Sequence, residues 1–123
     1  MQIEVSIGEI VDKLSILKIK KDNIFDQAKL SNITKEFNYL YEVVFNQLQI
    51  QFIDYNKLVE VNKLLWKIED DIRDKERKKE FDKEFAELAR SVYITNDRRA
   101  DIKKEINIKY NSLFIEEKSY NQY

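Results

Sequence analysis

The chain has five arginines, Arg73, Arg77, Arg90, Arg98 and Arg99, and all of them fall between positions 73 and 99. Elsewhere lysine carries the positive charge. Arginine is the better side chain for a planar, two-pronged contact with a phosphate or carboxylate, so the cluster points to oxyanion binding. A helix leading into this region puts Asn62, Trp66, Glu69 or Asp70, and Arg73 on one face. An indole that can stack on a ring, beside an amide, a carboxylate and a guanidinium, suits a small-molecule pocket. The same residues also suit a peripheral tryptophan beside a weak Glu69–Arg73 surface pair. Arg90 sits among Leu88, Ala89 and Val92, where a partly buried guanidinium needs an internal acid or an anionic ligand. Asn96-Asp97-Arg98-Arg99 has the composition of a helix start, whose free N–H groups favour anions. The plainer alternative is an Asn/Asp cap followed by two exposed arginines.

Other chemistry is poorly provided for. Glu84 and Glu87 have the spacing that places two carboxylates on one helix face, and Asp97 and Asp101 lie one turn apart. Paired acids on neighbouring helices hold Mg²⁺ for phosphoryl chemistry, but the matching second acidic element is missing. Lys13, Lys18, Lys20 and Lys21, together with Asp12 and Ser15, are expected on a wet face of the first helix. There is no cysteine and no histidine. A thiol nucleophile, an imidazole base, a Ser-His triad and the usual zinc ligands are therefore unavailable. The 22 basic and 23 acidic residues leave a net charge of −1 with no basic stripe, which disfavours nucleic acid as a partner. No apolar run is long enough for a bilayer, and the opening MQIEVSIGEI lacks the basic start of a signal peptide. The expectation is a cytoplasmic protein without a membrane partner.

The elements that must position these residues are helices. The chain has no proline and one glycine, too few for the turns a sheet needs. Ser6 and Glu9 have capping-box spacing, and Ile7, Ile10, Val11, Leu14 and Leu17 follow at helical intervals, predicting a helix over about 7–29. Ser31 or Asn32 is the expected cap of a second helix and Asp54 that of a third. The charge run at 67–80 reads as a solvated helix end. A fourth helix is expected to start near Phe81 and break at 93–97, and Asn96 or Asp97 then caps a last helix to about 109. At 123 residues and 43% hydrophobic content, the fold class is all-α. The expected architecture is a single-domain antiparallel helical bundle of four to five helices over 1–123. An extended tail over 110–123 is docked by Phe114, Ile115, Tyr120 and Tyr123.

Four blocks, VSIGEIVDKLSILKIK, VNKLLWKIEDDIR, FAELARSVYITNDRRADIKKEIN and EEKSY, resemble the signature of the bacterial and phage family DUF6165 over most of the chain. The resemblance implies a short intracellular protein and brings no activity, cofactor or catalytic residue with it. Three functions are consistent with the residues. The leading one is a non-enzymatic module that binds a small anionic molecule, a nucleotide or sugar phosphate. Asn62, Trp66, Glu69, Arg73, Arg90, Asn96, Arg98 and Arg99 form its site, with no metal or cofactor. The others are an adaptor bundle acting through a partner helix or a homodimer, and a Mg²⁺-dependent phosphohydrolase or transferase built on Glu69, Asp70, Glu84, Glu87 and Asp97.

Overall fold

Apolar residues at three- and four-residue spacing, uninterrupted by proline, form four helices in the computed structural model, which describes residues 1–119. These are α1 (Ile7–Asn23), α2 (Gln27–Glu42), α3 (Phe52–Arg77) and α4 (Lys83–Lys109), with a π-helical turn, Val43–Gln47, directly after α2. No strand occurs among the described residues. The arrangement is an all-α bundle in which α1 is central, touching α2, α3 and α4, while α3 and α4 form the longest pair.

The ends of the helices follow local chemistry. Ser6 caps α1 by accepting from the Glu9 N–H at 3.2 Å, but the Glu9 carboxylate turns away to Lys103, 2.8 Å off. The expected first helix over 7–29 is in fact divided. α1 stops at Asn23, and Asp26 caps α2 by accepting from the Ala28 and Lys29 N–H groups. Ser31 and Asn32 therefore lie inside α2. Asp54 is no cap either: α3 begins at Phe52, and the Asp54 side chain is buried. Lys79 and Asn111 adopt left-handed backbone conformations, φ 54° and 55°, just past α3 and α4. In each case paired return hydrogen bonds close the last turn, Glu80 N–H to Lys75 O (3.0 Å) and Ser112 N–H to Asn107 O (2.8 Å) among them. Glycine usually fills such positions, but this chain keeps its one glycine for a close approach. A Cβ on Gly8 would sit 2.5 Å from the Lys103 carbonyl oxygen.

α4 runs unbroken through 93–97, contrary to the expected break. Asn and Asp are only moderately poor helix formers, and packing overrides that preference. Thr95 is buried against the bundle and Arg99 is bonded to α1. There is accordingly no helix start at Asn96–Arg99.

The core joins Val11 and Leu14 of α1, Val44 of the π turn, Tyr55, Leu58, Val59 and Val61 of α3, and Ile106 of α4. It lies at the end of the bundle that holds the start of α3 and the close of α4. There Tyr110 donates to Asp54 at 2.5 Å, and Lys109 reaches the same oxygen at 2.8 Å. At the opposite end Lys75 bridges to Glu80, Asp82 and Glu84 across the α3–α4 link. The tail after α4 lies along α4, but Phe114 and Ile115 are exposed rather than docked. The proposed anchors Tyr120 and Tyr123 lie outside the described residues.

Candidate functional site

Where the apolar core gives out, α1, α3 and α4 are joined by polar groups. Asp12, only 1% exposed, accepts from Arg99 Nε at 3.0 Å, and its other oxygen accepts from the terminal guanidinium nitrogen. Asn62 of α3 donates to Asp12 Oδ1 at 2.9 Å and to Ser15 Oγ at 2.7 Å, and Ser15 donates to the Asp12 carbonyl at 2.6 Å. No buried side-chain nitrogen or oxygen among the described residues lacks a partner, as a buried polar network requires. The Asp12 hydrogen bond holds the Arg99 guanidinium above its already high ordinary value. With 28% of its side chain exposed, Arg99 spends two of its five N–H donors on Asp12 and keeps the rest.

Beside this network lies an open groove of about 450 Å³. Ile16 and Ile19 form its α1 wall. α3 contributes Asn62, Leu65, Trp66, Glu69, Asp70 and Arg73, and α4 contributes Asn96 and Arg99. Trp66 is half-buried in the wall and Arg73 stands exposed at the rim, 3.7 Å from Glu69. Asn96 is half-buried. Six of the eight residues singled out from the sequence therefore line one hollow: Asn62, Trp66, Glu69, Arg73, Asn96 and Arg99.

Arg90 and Arg98 do not. Both are exposed, because the α4 face turned toward α1 and α3 carries Thr95 and Arg99. The small, apolar neighbours of Arg90 are themselves only partly covered, so no buried charge arises there. The anion site proposed on free N–H groups at Asn96–Arg99 is also excluded, since α4 is continuous and interior amides bond within the helix. The acids considered for Mg²⁺ are dispersed: Glu84 pairs with Lys75, Glu87 with Lys83 and Glu69 with Arg73. No metal-holding group of three or more such ligands occurs among the described residues.

The matching family model covers residues 1–123 and is described as a family of unknown function, DUF6165. The chain belongs to this family. It matches no curated protein and no solved structure. No described helix of this DUF6165 protein is long and apolar enough to cross a membrane.

Sequence reasoning missed Asp12, Ser15, Asn107 and Lys103. Asp12 and Ser15 were assigned to the wet face of the first helix, yet both are buried. The available signal was their position one residue after Val11 and Leu14, which puts them beside the apolar stripe. Asn107 is 1% exposed and its Oδ1 accepts from the Gly8 N–H at 2.6 Å, which locks α1 to the end of α4 in this DUF6165 fold. Lys103 sits one turn beyond Arg99, only 13% exposed. Burial works against its charge, but the Glu9 hydrogen bond and the nearby Asp12, Glu9 and Glu116 charges prevail and raise its pKa.

Proposed function

We propose that this DUF6165 protein is a non-catalytic cytoplasmic module that binds a small molecule with a flat ring and an anionic group, of the nucleotide or sugar-phosphate class. The observation that carries the proposal is the meeting of Trp66, Arg73, Asn96 and Arg99 around one groove of ligand size. The ring lies against Trp66, Leu65 and the two isoleucines of α1. The anion takes the spare N–H donors of Arg99, the Asn96 amide and the Arg73 fork. Glu69 and Asp70 accept from hydroxyl or amino groups of the ligand.

The charges bordering the groove nearly balance, with Arg73 and Arg99 against Asp12, Glu69 and Asp70. Recognition therefore rests on aimed donors rather than on a net positive field. Asp12 has a positioning role: it holds the guanidinium in one orientation before a ligand arrives, which lowers the ordering cost of binding.

Calorimetric titration with adenosine monophosphate and with a hexose phosphate tests the proposal. Binding tighter than millimolar is expected for at least one of the two, weakened about tenfold by Trp66→Ala through lost stacking. Absence of binding by both, or a Trp66→Ala variant as competent as the parent, removes it. A second function, self-association as an adaptor bundle, draws on the exposed side chains of Leu113, Phe114 and Ile115. Light scattering checks it: a dimer supports it, and a monomer at high concentration counts against it.

A further inference from the structure

One turn beyond Arg99 on α4 comes Lys103, with Lys104 next to it around the helix, and the tail after α4 returns past both. Glu116 pairs with Lys103 at 3.3 Å, Glu117 with Lys104 at 2.9 Å, and Lys118 with Asp101 at 3.2 Å. At its root the tail is fixed by the Ile7 N–H donating to Ser112 Oγ at 2.9 Å. Leu113, Phe114 and Ile115 remain exposed, so ion pairs rather than apolar burial hold the segment down. The two glutamate side chains are each 70% exposed. Between tail and helix lies a hollow of about 480 Å³, bordered by Asn96, Arg99, Lys103, Lys104, Glu116 and Glu117 among others. A strap serving stability alone would close onto the helix. This one bridges a space of ligand size with two carboxylates directed at two ammonium groups.

We propose that the Lys103–Lys104 rail of α4 is a binding site for a diphosphate-class anion, and that Glu116 and Glu117 are its built-in competitor, displaced when the anion binds. The site shares Asn96 and Arg99 with the groove but needs no ring pocket, so it stands whether or not the groove takes a ring. Two ammonium groups each carry a tail carboxylate, Lys103 holding Glu9 of α1 at 2.8 Å as well, and together they call for a ligand with two linked anionic centres. Lysine serves such a ligand as a point charge, and the remaining Arg99 donors add directed contacts. Exposed ion pairs are individually weak, which makes the strap releasable.

The test is titration of inorganic pyrophosphate into the full chain, with amide exchange of residues 112–119 followed in parallel. Glu116→Gln combined with Glu117→Gln is expected to bind pyrophosphate about tenfold more tightly than the parent. Lys103→Ala combined with Lys104→Ala is expected to lose most of the affinity, and pyrophosphate is expected to speed exchange across the tail of the parent. Among the described residues Lys104 forms an ion pair with Glu117 alone, so Lys104→Gln serves if the double lysine variant fails to fold. Equal affinity in the parent and the glutamine variant, unchanged tail exchange, or full binding by the lysine variants overturns the proposal. Adenosine, which has a ring and no phosphate, reports on the groove alone through Trp66 fluorescence and keeps the two sites' outcomes separate.

Discussion

Asp12 and Arg99 are eighty-seven positions apart, and each makes sense only beside the other. A buried carboxylate without its counter-ion is strongly disfavoured, and breaking a fully buried pair costs about 3–5 kcal/mol. Arg99 keeps contact with water, so Arg99→Met is expected to lower stability by about 2–3 kcal/mol in urea denaturation. A loss under about half a kcal/mol would mean that Asp12 is accommodated without the guanidinium. Gly8→Ala drives a methyl group into the Lys103 carbonyl, and overpacking of this kind costs about 1–3 kcal/mol. A lowered thermal midpoint is the expected readout. Neither feature was legible along the chain. Asp12 and Ser15 occupy ordinary helix positions, and what makes them buried lies on Asn62 and Arg99, far off in sequence. Asn62, Trp66 and Arg73 were legible because the helical period alone places them on one face of one helix.

Helices were easier to locate than their limits. Ile24 and Phe25 prolong an apolar pattern beyond the true end of α1, and only Asp26 marks the restart. Asn96 and Asp97 mimic a cap, but packing along α3 carries α4 through them. Asp54 also has cap composition, yet its carboxylate closes the far end of the bundle by receiving Lys109 and Tyr110. Burial pushes the Asp54 carboxyl up, but these two hydrogen bonds outweigh it and hold it below its ordinary 3.8. A carboxyl held down in the folded state stabilises fully above that value, and its contribution is lost as pH falls through the folded value. Stability is therefore expected to drop below about pH 4, with a shallower drop in Asp54→Asn, as read from urea midpoints against pH. At the opposite end Lys75→Met removes the hub joining Glu80, Asp82 and Glu84. Amide exchange is expected to quicken across 78–85 while the core at Leu58 and Ile106 keeps its protection.

For the whole molecule, composition and period were enough to specify an all-helical bundle, since a chain almost without glycine and proline has few other ways to bury its apolar stripes. The order of packing was not specified. That α1 is central and Arg99 faces it, while Arg90 and Arg98 face solvent, depends on how α4 is rotated, and a rotation of about 100° per residue separates a groove residue from an exposed one. The tail shows the same limit: its apolar residues suggested docking, whereas Glu116 and Glu117 supply the hold.

The central claim is that the groove between α1, α3 and α4 receives a ring and an anion. Trp66 is the only tryptophan in the chain and forms part of the groove wall, so the protein's tryptophan fluorescence comes from this groove. Titration of adenosine monophosphate into the full chain is the most direct measurement. The expected result is saturable quenching with a midpoint below millimolar, shifted to higher concentration by Arg73→Ala. Fluorescence that stays flat, or a midpoint unmoved by Arg73→Ala, contradicts the account.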